Sequence, residues 1–440
     1  MARLQEAAAA LRTLGGTVAV ITRMRGTADW LPDRLPALRA ATALGLEVAA
    51  RYGYQEIATP VVEPTELFAR GVGETTDIVS REMYTFADRG GRSLTLRPEG
   101  TAPVLRAYGE AGLHQGPRPL RLSYAGPMFR YDRPGKGRYR QFHQFGLEAV
   151  GDAAPELDAE VIAVAWEWLE ALGVQETSLQ LNSIGDAACR PAYRQALVEH
   201  LRPSADRLNE LDRQRLERNP LRLLDSKDPD TLALVAGVPE VGEFLCPGCR
   251  DALARVGDAL DAYGIPYQRN PRLVRGLDYY QRTTFEIWHA SLEGAQNALC
   301  GGGRYDGLSE LLGYPPAPGV GFAAGLERIV AIAATPAVAP AAPVAVVTLA
   351  PAAVPAAVRL SQRLRRAGSA VTADLGSRSA KAKMRAADAL GARVVCLLGS
   401  GELDGGTVAV RDLRTGAQRS VALAEAPRAV AAVLDGAGAA

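Results

Sequence analysis

At 440 residues, with 48% apolar and 22% charged side chains, the chain has the length and composition of about two or three globular domains. Fifty Lys and Arg against forty-nine Asp and Glu leave a formal charge of +1, which excludes a polycationic nucleic-acid binder but leaves room for a local basic surface. Five cysteines, an odd and sparse set, exclude a disulfide-stapled scaffold, and no apolar run approaches the roughly 18 residues of a membrane span, so a reducing, cytoplasmic compartment is expected.

In chain order, residues 1–23 are Ala-rich and read as an N-terminal extension; Gly16–Thr22 is apolar but lacks the small-residue cleavage site of a signal peptide. Leu35, Leu38, Ala41, Leu44 and Val48 recur at helical spacing, which predicts a helix over Leu35–Tyr52 stopped by Gly53. Tyr54–Val62 reads as a strand carrying Pro60, a residue that strands accept at edges or unusual contacts. Leu120–Val150 has the pattern of a long β-hairpin whose arms meet at Pro134-Gly135-Lys136-Gly137. Glu156–Leu172 reads as a helix ended by Gly173, and residues 186–266, rich in Arg, Asp and Leu, as a helical insertion. A strand is expected at Thr283–Trp288 and a helix at Leu326–Ile332. The Ala/Pro stretch 333–343 predicts a semi-extended linker. Beyond it, strand 344–349, helix 356–367, strand 369–373, helix 379–390 and strand 393–398 alternate as in a small α/β domain with a mostly parallel sheet. The expected domains are therefore 24–332, with the insertion inside it, and 344–440.

The chemistry-bearing residues cluster in five segments. Between Arg130 and Arg140 lie Arg133, Lys136 and Arg138, a set that by itself describes a solvated hairpin tip. Strand parity says more: Arg140, Phe142, Gln144 and Glu148 share one face, and Arg130 and Asp132 share parity on the facing arm. An arginine, an aromatic ring, an amide and a carboxylate make a poor core and a good ligand floor. The guanidinium fork suits phosphate oxygens, and an aromatic face suits a purine. In Leu96-Arg-Pro-Glu-Gly-Thr101, Glu99 and Thr101 form an acceptor pair suited to an ammonium group. Leu273-Val-Arg-Gly-Leu-Asp-Tyr-Tyr280 precedes the strand at 283, and its paired tyrosines fit a core or an interface as well as a site. Cys300-Gly-Gly-Gly-Arg-Tyr-Asp-Gly307 permits close approach of backbone to a ligand, and it lacks the Lys-Ser/Thr of a Walker loop. Gly319–Arg328 is a Gly-rich strand entering a helix with Arg328 in the first turn, where an anion and a helix N-terminus meet.

Together these segments resemble the histidyl-tRNA synthetases, a family of class II aminoacyl-tRNA synthetases, from about Arg25 nearly to the C-terminus. Motif 1 resembles Tyr52–Pro60, motif 2 Phe129–Pro134 with Gly137–Gln144, and motif 3 Gly321–Arg328; the two histidine-specific signatures resemble Arg275–Tyr280 and Gly302–Gly307. The resemblance implies an α+β catalytic domain on a mostly antiparallel sheet, with Pro60 at a homodimer interface. It also implies that Arg130, Arg138 and Arg328 grip ATP phosphates, Phe142 stacks on adenine, and Asp132 stands where motif 2 commonly has a glutamate holding the adenine amine. Glu99, Thr101 and Gln144 would bind the α-ammonium of histidine, and Glu148, Tyr280 and Tyr305 would surround the imidazole. Arg275 would be the catalytic cation at the α-phosphate, together with Arg130.

The implied reaction joins L-histidine to the 3′ end of tRNA(His) through an adenylate, with ATP and Mg²⁺ as its requirements. The C-terminal domain resembles the family's anticodon-binding domain, where Arg378, Lys381 and Arg385 at i, i+3, i+7 would form one basic helical face toward tRNA, or a plain solvated face. Cys246-Pro-Gly-Cys249 is a lone CxxC; zinc would need two more ligands, with His200 and His289 the nearest imidazoles in sequence, and surface thiols without metal are the expectation. The alternative to a ligase is the synthetase-like regulatory subunit of ATP phosphoribosyltransferase, which generally lacks the C-terminal domain and loses ATP-site residues. This chain keeps Arg130, Phe142, Arg275 and Arg328 and the segment after 343.

Overall fold

The computed structural model describes residues 20–73, 76–135, 137–292, 297–333 and 343–435. Most of the expected N-terminal extension and nearly all of the Ala/Pro linker lie outside these residues, as does Lys136. The chain divides into two compact units, Met1–Thr335 and Pro336–Ala440.

The first unit opens with helix α1 (Leu35–Arg51), started by Pro36 in its first turn and buried along Leu38, Ala41, Gly45 and Val48. Short strands β1 (Gln55–Glu56) and β2 (Val62–Pro64) follow, so the single strand expected at 54–62 is broken, with Pro60 between the pieces. Proline has no N–H to give a ladder, which accounts for the break. Next come α2 (Thr65–Val72), β3 (Tyr84–Ala87), β4 (Ser93–Leu96) and α3 (Thr101–Glu110). The hairpin β5 (Leu120–Phe129) and β6 (Gln141–Val150) leads to α4 (Pro155–Ala171) and β7 (Thr177–Ser183). The insertion is helical as its composition predicts: α5 (Arg190–Leu201), α6 (Glu210–Arg218), α7 (Pro229–Val235), α8 (Val241–Phe244) and α9 (Pro247–Tyr263). Strand β8 (Tyr267–Arg269), β9 (Gln281–His289), β10 (Ala298–Arg304), helix α10 (Leu308–Leu311), β11 (Gly319–Gly325) and α11 (Leu326–Ile332) complete the unit.

Eight strands form one sheet in the order β1-β5-β6-β11-β10-β9-β7-β8. Its inner pairs are all antiparallel, and only the edge pairs β1/β5 and β7/β8 are parallel. Side-chain alternation gives the sheet two unlike faces. Phe145, Leu147, Val320, Phe322, Phe285 and Ile287 point into an apolar core shared with α1 and α4, where Trp168 packs edge-on against Phe145 and donates its indole N–H to the carbonyl of Ala41. Phe142, Gln144 and Glu148 lie on the opposite face.

The second unit carries β12 (Val344–Thr348), α12 (Val354–Arg366), β13 (Val371–Asp374), α13 (Ala380–Ala389), β14 (Val394–Leu398), α14 (Ser400–Asp404), β15 (Thr407–Asp412), β16 (Gln418–Ala422) and α15 (Ala426–Leu434). The sheet order is β13-β12-β14-β15-β16. It is mixed rather than mostly parallel: β12 runs parallel to β13 and β14, and β15 and β16 add antiparallel pairs. Val344 and Val346 face α12 and α15, and Ala345 and Val347 face α13, so both sides of β12 are covered.

One buried ion pair ties the large sheet to its covering helix. Arg304 at the end of β10 reaches Asp158 on α4 (Nε–Oδ1 3.0 Å), each side chain 1% exposed, and its remaining N–H groups meet Asp306 and the carbonyls of Asp152 and Ala154. Removing one member of such a pair strands the other charge in the core, which costs about 3–5 kcal/mol. Arg304→Met should lower unfolding stability in urea by about that amount, and Arg304→Met with Asp158→Leu should recover much of the loss; equal stability of Arg304→Met and the parent chain would show the pair to be dispensable.

Candidate active site

The face opposite the apolar core is built on small residues. In register beside Gln144, Gly146 and Glu148 of β6 stand Gly325, Ala323 and Gly321 of β11, and beside the last two stand Gly301 and Gly303 of β10. Their missing side chains leave space that neighbours fill. A Cβ on Gly301 would lie 2.5 Å from a guanidinium nitrogen of Arg275, and one on Gly146 would lie 2.6 Å from the Tyr124 hydroxyl. Glycine here is a requirement of close approach.

At one end of this face is an acidic, hydroxyl-lined pocket. Glu148 is fully buried and accepts hydrogen bonds from Thr101 Oγ1 (2.7 Å), Tyr305 (2.5 Å) and Tyr124 (3.3 Å). Tyr279 packs on both Tyr280 and Tyr305, with ring centroids 4.7 and 5.8 Å apart. Glu99 accepts the first backbone N–H groups of α3, from Thr101 (2.7 Å) and Ala102 (2.9 Å), which fixes its carboxylate at a helix N-terminus. Burial pushes the Glu148 carboxyl up to about 8; the Tyr305 and Thr101 hydrogen bonds work against that rise and the nearby Glu99 charge adds to it. Burial also lifts Glu99 above the usual carboxylate range. Among the described residues the Gln144 carbonyl oxygen, buried, has no hydrogen-bond partner. Two buried carboxyls and a spare acceptor suit a small ligand rich in N–H groups and positive charge.

Alongside lies a cleft of about 780 Å³, open to solvent, lined by Arg130, Arg138, Arg275, Arg328 and Phe142. Arg130 donates to the carbonyl of Pro98 (2.8 Å) with its guanidinium carbon 5.3 Å from the Phe142 ring centre. Arg328 is held by the carbonyls of Ala298 (2.9 Å) and Gly137 (3.3 Å). Neutral carbonyls orient these two cations without cancelling them. Burial lowers the proton affinity of both; Glu82 and Glu99 oppose that at Arg130, and neighbouring arginines add to it at Arg328. Arg138 pairs with Asp132 (Nε–Oδ2 3.1 Å). Arg275 pairs with Glu286, whose other oxygen accepts from Trp288 Nε1 (2.7 Å). Burial works against the Arg275 charge, and Glu286 more than offsets it. Four guanidinium groups around one cleft make a receptor for a polyanion.

A histidyl-tRNA synthetase family model matches residues 26–329, and an anticodon-binding-domain model matches residues 343–432. A protein from Desulforudis audaxviator named histidine–tRNA ligase is 50% identical over 92% of this chain and 97% of its own, and one from Thermosynechococcus vestitus with the same name is 49% identical over 90% and 92%. The solved structure of apo histidyl-tRNA synthetase from S. aureus superposes with a TM-score of 0.77 at 37% identity, covering 93% of this chain and 99% of that one. The chain belongs to the histidyl-tRNA synthetase family.

Against the family's motifs, the structure brings together Glu99, Thr101, Gln144, Glu148, Tyr280 and Tyr305 on one side and Arg130, Asp132, Arg138, Phe142, Arg275 and Arg328 on the other. Two residues, Arg140 and Arg378, differ from their sequence-based reading. Arg140 does not join the ligand floor: it precedes β6, stacks on Tyr131 at 3.8 Å and reaches the carbonyl of Asp132. Asp132 is turned to Arg138 and to the backbone N–H of Arg133 (2.6 Å). Arg378 lies outside α13, which Ser379 caps, and it pairs with Asp374 (2.6 Å). The basic face of that helix is therefore Lys381 and Arg385, both exposed, while the intervening Lys383 is buried against the Thr348 carbonyl (2.7 Å).

Sequence reasoning missed Glu286, Glu327 and Tyr124. Glu327 accepts the backbone N–H of His143 (2.9 Å) and meets its Nδ1 (2.9 Å), pinning the start of α11 to β6. Its place beside Arg328 was the only signal. The expectation of surface thiols also needs correction: Cys249 is buried, and Cys246 and Cys249 stand with Cys189 and Asp186 rather than with a histidine.

The raised Glu148 carboxyl makes stability depend on pH. The folded chain keeps a proton that the unfolded chain loses near 4.5, so this contribution is complete below about pH 4.5 and disappears as pH rises through about 8. Glu148→Gln keeps the shape and cannot titrate. Without substrates, the parent chain should lose stability relative to Glu148→Gln as urea unfolding is followed from pH 5 to 8.5, and parallel pH curves would show that Glu148 does not titrate in this window.

Proposed function

We propose that this chain activates L-histidine with ATP and transfers the aminoacyl group to the 3′ end of tRNA(His). One observation carries this function: an acidic pocket suited to an amino acid's ammonium and imidazole groups opens beside a four-arginine cleft suited to a triphosphate. Glu99, Thr101 and Gln144 bind the α-ammonium, and Glu148, Tyr280 and Tyr305 hold the imidazole. ATP enters as its Mg²⁺ complex, with Phe142 against the adenine, Asp132 near its amine, and Arg130, Arg138 and Arg328 on the phosphates.

In the first step a histidine carboxylate oxygen attacks the α-phosphorus, the bond to the β-phosphate oxygen breaks, and pyrophosphate leaves. In the second, a hydroxyl of the terminal tRNA ribose attacks the acyl carbon, and AMP leaves. No enzymic nucleophile is required. Negative charge builds on the non-bridging α-phosphate oxygens during the first step, and Arg275, already oriented by Glu286, stabilises it. The rest of the catalytic contribution is positioning.

Lys381 and Arg385, with Arg378 beside them, offer phosphate contacts for the anticodon arm. Motif 1 supports a homodimer: Gln55, Glu56, Pro60 and Val62 are exposed at the edge of this single chain. Among the described residues no helix is long and apolar enough to cross a membrane. Cytoplasmic tRNA charging fits all of these features.

Histidine-dependent ATP–pyrophosphate exchange, followed by charging of tRNA(His), tests the function directly; exchange that does not depend on histidine would refute it. Arg275→His should slow pre-steady-state adenylate formation by at least about 10²–10³ while substrate binding changes much less, because a preorganised donor acts mainly in the transition state. Arg275→Lys should recover only part, since an ammonium lacks the planar fork. An unchanged rate in Arg275→His would remove this residue from the mechanism.

Ending the chain after residue 333 tests the second unit. In a variant confirmed as a folded dimer, exchange should persist while tRNA charging falls much further. Equal loss of both activities would refute the anticodon-arm role.

A further inference from the structure

Four donor atoms outside the active site meet where the loop after β7 passes the first turns of α5 and α9. Asp186 and Cys189 come from that loop, and Cys189 is the residue before α5. Cys246 caps α9 and Cys249 lies in its first turn. The three sulfurs and a carboxylate oxygen of Asp186 all lie within 4.8 Å of one another. Cys189 Sγ is 3.7 Å from Cys249 Sγ and 3.4 Å from Asp186 Oδ1, and Cys246 Sγ is 4.0 Å from the same oxygen.

Three of the six separations, at 3.4, 3.7 and 4.0 Å, lie close to the edges of a coordination tetrahedron, and the others are within 4.8 Å. With Zn–S near 2.3 Å and Zn–O near 2.0–2.2 Å, tetrahedral geometry spaces the ligand atoms by roughly 3.5–3.8 Å. They do not match a disulfide, which needs sulfurs about 2.05 Å apart and joins two residues rather than four. Neighbouring structure is shaped around the sulfurs. Gly185 has φ +69°, and a Cβ there would lie 2.6 Å from Cys189 Sγ, so the loop needs glycine both for its backbone and for the sulfur's path. Cys189 and Cys246 directly precede α5 and α9, and Cys249 lies in the first turn of α9, so two helix starts bring the sulfurs together.

We propose that Asp186, Cys189, Cys246 and Cys249 bind one zinc ion. Three soft thiolates select zinc over hard cations, and four protein ligands make the site structural, with no open position for catalysis. Binding displaces the three thiol protons and leaves an anionic complex. Arg282, 3.6 Å from the outer oxygen of Asp186, faces that charge. The ion joins the insertion to the active-site strand. Arg282 exchanges backbone hydrogen bonds with Ile184 (2.9 Å) and Gly185 (2.8 Å), and Arg190 on α5 donates to the carbonyl of Tyr280. Zinc therefore clamps α5 and α9 beside the segment that carries Tyr280.

The test is metal analysis of the full chain, purified with a reductant and no chelator, then incubated with Zn²⁺ alone and freed of excess ion. About one zinc per chain is expected, and Co²⁺ in its place should give the charge-transfer and ligand-field bands of a tetrahedral thiolate site. Cys246→Ser, at the half-buried position, should fall below about one tenth of the parent's zinc, while Cys396→Ser in the second unit should keep it all. Asp186→Ala gives a second reading that leaves every thiol in place and should also weaken retention. The proposal is overturned by a parent chain with less than about one tenth of a zinc after incubation, by full zinc in folded Cys246→Ser, or by a Cys189–Cys249 disulfide in the reduced preparation.

Discussion

Everything in the active site depends on bringing charged groups close together on one face of a sheet whose other face packs a mainly apolar core. Glycine makes this convergence sterically feasible. Without side chains at Gly301 and Gly321, the guanidinium of Arg275 and the carboxylate of Glu148 can lie close against the backbone of β10 and β11. The free energy for holding them there comes from the opposite face, where Phe145, Phe322, Phe285 and Trp168 are removed from water. Gathering like charges is unfavourable in itself, so the scaffold must be rigid before a ligand arrives.

The polar groups fall into two electrostatic halves. The pocket around Glu148 and Glu99 is acidic and largely dry, which raises both carboxyl groups. The neighbouring cleft is cationic, and burial lowers the proton affinity of its Arg130 and Arg328. A zwitterionic amino acid beside a triphosphate has the complementary arrangement, its ammonium toward the carboxylates and its reacting carboxylate toward the arginines. Glu286 and Glu327 serve this division from within the cationic half: one orients Arg275, and the other locks α11 to β6 through His143.

Some of this was legible along the chain. Alternation at Phe142, Gln144 and Glu148 revealed a polar sheet face because strand geometry repeats every two residues. The helix at Leu326–Ile332 begins where glycine gives way to an apolar period. Arg130, Arg275 and Arg328 were found through motif order, and the structure brings them to one cleft. Less legible were β15, a short buried run at Val408–Val410 that ends in Arg411 and Asp412, and β16, whose polar and mostly exposed sequence lacks the pattern of a buried strand. Arg378 was assigned to a helical face that starts after it, because Ser379 is the cap and helix ends depend on capping geometry.

What the sequence determined by itself was local: the periods of helices and strands, the turns, and the types of side chain available for phosphate and ammonium recognition. Only the tertiary structure decided which of them meet. Thr101 and Glu148 are 47 residues apart and Tyr305 and Glu148 are 157 apart, yet all share one hydrogen-bonded pocket. Along the chain Cys249 has one nearby sulfur, that of Cys246; folding sets it beside Cys189, 60 residues earlier. Periodicity is written into consecutive residues by backbone geometry, whereas such meetings follow from the packing of whole sheets and helices, and no short stretch of sequence contains that information.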